Sequence, residues 1–131
     1  QLQKLAALLQ QAADERHLVS LLIHHPPLPG MTLWRKALAD ADRLRAVLQR
    51  FPAMMMFHGH LHHNREYHWG ESRIFCTAAA SSISEASYRV LDVEDREAYR
   101  AISMSLKSID IDQDGNLEFV TVDQQSWQMQ K

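Results

Sequence analysis

The chain has 131 residues, 46% of them hydrophobic and 23% charged, with a formal net charge of −2. That is an ordinary globular composition, with enough length for one domain and a modest core, and it has no basic excess for a dedicated nucleic-acid or anionic-membrane surface. The single cysteine, Cys76, excludes an internal disulfide and points to a reducing compartment, the cytoplasm; no apolar run approaches the ~20 residues that cross a bilayer.

The chain begins "QLQKLAALLQQAADERH". This start has neither the basic end nor the apolar centre of a signal peptide. It has no initiator Met and opens in mid-pattern, so the chain is expected to be a fragment of something longer. In residues 1–16, Leu2, Leu5, Leu9, Ala12 and Ala13 recur at helical spacing and predict an amphipathic helix. "HLVSLLI" is a short apolar run stopped by "HHPPLPG", and residues 18–23 are read as a buried strand. Residues 37–50 return to helical spacing until Pro52. "AMMMF", 53–57, is a second short apolar run, stopped by Gly59, and is read as another strand. Neither run alternates, which suits strands covered on both faces. A strand–helix–strand unit of this length predicts a crossover between parallel neighbours.

The pattern changes after residue 64. "EYHWGESRIFCTAA" reads as two short strands around Gly70. Residues 87–94 and 100–111 alternate, and "DQDGN" turns the chain into 117–123, an antiparallel hairpin. The polar tail "QQSWQMQK" is expected to be frayed or a last edge segment. No repeat or low-complexity linker interrupts the chain, and one domain, or part of one, is expected.

Parallel neighbours end on the same sheet edge. Past the first end stand His24 and His25; past the second stand His58, His60 and His62. The order of elements thus gathers two histidine groups, more than thirty residues apart, where open α/β sheets place ligands. On an extended segment His60 and His62 would face the same way, with Gly59 permitting the turn that precedes them. Neutral imidazole is the commonest protein metal ligand and suits Zn, Mn, Fe and Ni. No Asp or Glu stands at an obvious strand end beside these residues to bridge two ions.

"LLIHHPPLPG", followed about thirty residues later by "MMFHGHLHH", resembles the C-terminal half of the calcineurin-like metallophosphoesterase superfamily, closest to its cyclic-nucleotide phosphodiesterase branch. The resemblance covers roughly residues 17–80. It implies an α/β fold, part of a four-layer α/β/β/α sandwich in which this chain is the C-terminal portion of a single metallophosphoesterase domain. It implies that His24 and His60 ligate one metal and His62 the other. His25 and His58 have no firm assignment; each is a candidate for phosphate contact or for supporting a ligand. The cofactors implied are two divalent ions, Mn, Fe or Zn. Together they would clamp a phosphoryl group and lower the pKa of a bound water for in-line attack on phosphorus.

The family's first motifs, Asp-x-His, Gly-Asp and Gly-Asn-His-Asp/Glu, do not occur here. The chain is therefore expected to be incomplete and inactive alone, and to pair with its missing N-terminal half or with itself, because a cut sheet exposes an edge and apolar surface. The expected partner is a phosphoester small molecule, with no membrane and no nucleic acid. The alternative is a non-catalytic binding module on a degenerate scaffold; a third reading is a plain His-rich metal-binding domain.

The remaining candidates have plainer readings. His63 and His68 are expected in a solvated loop or on a strand face, and His17 carries no signal. Met54, Met55 and Met56 read as core filler, and Cys76 as a small buried hydrophobe. "DIDQDGNLE" places Asp110, Asp112, Asp114 and Gly115 as a calcium loop would, but its twelfth position is Thr121, so a hairpin turn is the better reading. Trp34, Arg35 and Lys36 follow "HHPPLPG". A helix start with a half-buried Trp is expected there, with the cations within reach of a phosphate. "TAAASSISE", 77–85, is small and polar and has nothing diagnostic.

Overall fold

The computed structural model describes residues 1–79 and 86–131, so most of the 77–85 stretch lies outside the described residues. These residues form two compact units, 1–76 and 77–131.

In the first unit, helix α1 (Leu2–Asp14) places Leu2, Leu5 and Leu9 on one face, and Leu9 is buried. Side-chain bonds from Gln10 to Asp14 and from Gln11 to Glu15, each 2.9 Å, support the wet face. The helix ends in a Schellman arrangement: Arg16 takes the left-handed φ of 54°, its N–H donates to the Ala13 carbonyl, and the His17 N–H donates to that of Ala12. Strand β1 (Ser20–Ile23) follows. A short 3-10 turn, Trp34–Lys36, leads to α2 (Ala41–Leu48). The second helix is shorter than the expected 37–50, because Ala37 is extended (ψ 154°) and helical bonding starts only near Asp40. Trp34 is 84% exposed, not half-buried: the 3-10 turn presents its ring outward.

Strand β2 (Met55–His58) lies parallel to β1, as the strand–helix–strand order predicts, with Leu21 opposite Met56 and Ile23 opposite His58. Strand β4 (Ser72–Cys76) is parallel to the other side of β2, and β3 (Arg65–Trp69) pairs antiparallel with β4 at the edge; the sheet order is β1-β2-β4-β3. Gly70, φ +58°, takes the first turn position between Trp69 and Ser72, where a tight hairpin demands positive φ.

Leu44 and Leu48 of α2 pack with Leu9, Met54, Met56 and Ile74 into one core. All three methionines of 54–56 are at most 2% exposed, as their filler role predicts. On the opposite sheet face Phe57 stacks on Phe75, centroids 5.3 Å apart. Cys76 is fully buried. Strand β1 stands at a sheet edge, and its Leu22 is 76% exposed.

The second unit is an antiparallel sheet in the order β5-β6-β7: β5 (Ser87–Asp95), β6 (Tyr99–Ile111) and β7 (Leu117–Gln130). Ile102, Met104, Leu106 and Met129 are buried. Of the two readings of the tail, frayed or a last edge segment, the second holds: it is the second half of the edge strand β7. Its register runs Gln125 opposite Met104, Trp127 opposite Ile102 and Met129 opposite Arg100, so its alternation carries a buried stripe. The "DQDGN" segment is the predicted hairpin turn. Gly115 has φ +82°, and Asp112 carboxylate oxygens accept from the N–H groups of Asp114 and Asn116 and from the Asn116 amide. Among the described residues no helix is long and apolar enough to cross a membrane.

Candidate metal centre

The two parallel strands stop side by side. The Gly59 N–H donates to the His24 carbonyl at 3.1 Å, tying the residue after β1 to the residue after β2. Two prolines then fix the first histidine pair. Pro26 and Pro27 are both buried, and a residue before proline is held to extended geometry, so His25 leaves the strand in a defined direction.

The second histidine group is positioned by backbone in an unusual conformation. His60 has φ 64° and His62 φ 56°. The Leu61 N–H donates to the Gly59 carbonyl at 2.7 Å, closing a three-residue turn about His60. That carbonyl also accepts from His58 Nδ1 at 3.1 Å and from the Cys76 thiol at 3.7 Å. The extended alternation expected for 60 and 62 is therefore not what aims them. The left-handed residues are the histidines themselves, and Gly59, expected to supply the turn's freedom, has no positive φ. A left-handed, non-glycine residue costs roughly 1–2 kcal/mol, and such residues persist where surrounding contacts hold them, often at functional sites.

His24, His25 and His60 converge. Ligand-capable atoms of the three lie within 4.8 Å of one another. His60 Nδ1 is 3.2 Å from His24 Nε2. Ring centroids are 4.4 Å apart for His25 and His60, 5.0 Å for His24 and His25, and 5.1 Å for His24 and His60. His24 is exposed and the other two half-buried. Desolvation, then the neighbouring His25 and His24, then Lys36 and His62, push the His60 imidazole below its ordinary value. The ring is thus biased toward the neutral form that a metal requires.

The other predicted residues stand apart from this trio. His62 is exposed and outside it, though its charge reaches His60. His58 is 4% exposed at the end of β2, and burial pushes its imidazole below the ordinary range. Its Nδ1–H donates to the Gly59 carbonyl, which leaves a buried Nε2 with no hydrogen-bond partner. The expectation of a solvated His63 fails in part: the residue is half-buried and its Nε2 is buried without a hydrogen-bond partner. His68 is exposed on β3, 3.3 Å from Glu66, and exposed His17 lies 3.2 Å from Glu15.

Three imidazoles without a carboxylate are a donor set that fits a borderline-soft divalent cation such as Zn. The trio is the one such group among the described residues, so a second ion would need ligands from beyond it. Sequence reasoning left His25 unassigned. The signal that could have placed it is the prolyl pair, whose stiffness fixes the direction of the residue before it.

No family model matches the chain. It is 37% identical over 68 residues to the 3′,5′-cyclic adenosine monophosphate phosphodiesterase CpdA of Escherichia coli strain K12, a match spanning 50% of this chain and 24% of that protein. The same figures hold for the Escherichia coli O157:H7 protein. The match thus spans about a quarter of the curated relatives' length. Among solved structures, Chaetomium thermophilum Vps29 superposes over 82% of this chain and 53% of that chain, at 7% identity and TM-score 0.45. Wild-type Vps29 of Entamoeba histolytica complexed with Zn²⁺ superposes over 72% and 51%, at 12% identity and TM-score 0.38.

Proposed function

We propose, from the premise that this chain is a calcineurin-like metallophosphoesterase, that it supplies the C-terminal histidines of a metal-dependent phosphoester hydrolase. One observation carries the reading: imidazoles from the ends of two adjacent parallel strands converge at one rim. In this reading His24, His60 and His62 hold divalent ions, and bound ions would polarise a phosphoryl oxygen and lower the pKa of a water. His24 and His60 present ring nitrogens from just past the ends of β1 and β2. Lys36, whose charge already reaches His60, meets the substrate phosphate as a point charge. The buried His58, bonded to the Gly59 carbonyl, holds the turn that carries His60. The 68-residue match to a cyclic-AMP phosphodiesterase favours a phosphodiester substrate, cyclic nucleotides first.

The test is hydrolysis of cyclic AMP and of bis(p-nitrophenyl) phosphate with Mn²⁺. It is run on the full product of the reading frame that carries this chain, on the 131-residue chain alone, and on each with His60→Ala. Metal-dependent turnover by the full product, lost at least a hundredfold in His60→Ala, is expected, with none from the isolated chain. A full product that binds metal but turns over neither substrate would favour a non-catalytic binding module. Strong turnover by the isolated chain would refute the division of labour proposed.

A further inference from the structure

We propose that the second half of β7 is a self-association edge: residues 123–131 pair antiparallel with the same segment of a second copy of this chain, about a two-fold axis at Trp127, so that two three-stranded sheets become one continuous sheet. The proposal concerns the second unit by itself and rests neither on the metal centre nor on hydrolysis.

A strand at a sheet edge carries unpaired N–H and C=O groups, and proteins guard such edges with short strands, charge, proline or bulges. The four edge strands here differ in that protection. β1 has only four residues, and β3 carries Arg65, Glu66 and His68 among its five. β5 carries Arg89, Asp92, Glu94 and Asp95. The first part of β7 carries Glu118 and ends at a bulge, where Val122 stands between the Lys107–Thr121 and Leu106–Asp123 pairs. Beyond the bulge "QQSWQMQ", 124–130, has no charge, proline or glycine. Uncharged strand segments of this length are the ones prone to pair with another chain.

The hydrogen-bond pattern shows which groups are open. The Ile109 N–H donates to the Ala86 carbonyl, toward the start of β5. Alternation then turns the even residues of β6 toward β7, among them Arg100, Ile102 and Met104, which stand opposite Met129, Trp127 and Gln125. The intervening Gln124, Ser126, Gln128 and Gln130 therefore aim their N–H and C=O groups away from β6, and all four residues are exposed. Among the described residues no strand pairs with that side of β7.

The edge names its own partner. "DQQSWQMQK", 123–131, matches its own reverse closely about Trp127. Antiparallel pairing about that residue sets Gln124 opposite Gln130 and Ser126 opposite Gln128, all edge-facing residues that can exchange backbone bonds. Their side chains are amides and a hydroxyl, each both donor and acceptor, so like meets like without repulsion. The two ionic side chains of the segment, Asp123 and Lys131, then face each other across copies. Lys131, whose Nζ lies 2.8 Å from the Asp95 carboxylate, would stand between two carboxylates. A slip of two residues in either direction breaks that match. Each copy offers one such stretch, so two-fold pairing uses both and closes at a dimer.

The experiment is sedimentation equilibrium across the micromolar range on the full product of the reading frame that carries this chain. The variants are Ser126→Lys/Gln128→Lys, Ser126→Glu/Gln128→Glu and, on the exposed edge of β1, Leu22→Lys, each checked for native circular dichroism. Wild type is expected in reversible monomer–dimer equilibrium with a Kd of roughly micromolar order. Either double variant sets like charges opposite each other and should weaken the Kd by about tenfold or more. An equimolar mixture of the two sets lysine opposite glutamate and should regain a dimer within about threefold of the wild-type Kd. That recovery separates lost pairing from lost folding. Leu22→Lys, on the other unit, should stay within about threefold of wild type. A monomer at every concentration, the result expected if another strand of the same product covers β7, overturns the proposal. So do species larger than a dimer, a lysine variant as dimeric as wild type, a mixture that stays monomeric, or a dimer lost in Leu22→Lys. No readout depends on phosphoester turnover, so the two proposals fail separately.

Discussion

Replacing His60 separately with glycine and with alanine tests whether the backbone at the centre is held in a costly conformation. Both substitutions delete the imidazole and its contact with His24, so their difference isolates the backbone. At φ 64° a Cβ costs roughly 1–2 kcal/mol. Glycine escapes that cost but loses more chain entropy on folding, worth roughly 0.5–1 kcal/mol. The glycine variant should therefore be the more stable of the pair by about 0.5–1 kcal/mol. In a helix such as α1 the order reverses, with alanine favoured by about 1 kcal/mol, so Gln11→Gly against Gln11→Ala is the internal control. Urea unfolding, followed by circular dichroism and tryptophan fluorescence, resolves the difference. With slopes of about 1–3 kcal/mol per molar, the midpoint should move by roughly 0.2–1 M between the two variants. An alanine variant as stable as the glycine variant would refute the argument that His60 is strained and that its contacts hold it. His62, φ 56°, should behave with the same sign.

Two further outcomes follow from the packing and charges. Leu48→Ala in α2 removes three buried carbons from the core it shares with Leu9, Met54 and Ile74; lost transfer of about 2.4 kcal/mol plus a cavity should cost roughly 3 kcal/mol in urea unfolding, and a loss under about 1 kcal/mol would mean that α2 does not seal this sheet face. Asp95 is held below its ordinary 3.8, first by the hydrogen bond from Lys131 and then by the charges of Lys131 and Arg100. Because the folded value is lowered, its contribution is fully present above about 3.8 and is lost as pH falls through the lower folded value; Asp95→Asn should flatten acid unfolding between pH 4 and 2, and an unchanged profile would remove this ion pair from the account.

Local chemistry made much of the molecule readable. The 3.6-residue period of Leu2, Leu5 and Leu9, the non-alternating Met54–Met56 run and the "HHPPLPG" stop each follow from near-neighbour sterics and polarity, and the parallel pairing of β1 with β2 follows from their order. The errors fell where neighbours in space override neighbours in sequence. The polar tail at 124–130 left fraying and a last edge segment both open, and only its partners across β6 decide for the edge strand. Trp34 follows a proline-rich turn that leaves its ring in solvent.

Composition and order alone determined that two histidine groups would meet at one sheet edge, because a parallel crossover must return its strands in the same direction. Only the folded chain decided which rings converge. That choice depends on left-handed backbone at positions 60 and 62 and on two buried prolines that aim His25. Those directions come from contacts with Gly59, Cys76 and the strand ends, and no period in the sequence encodes them.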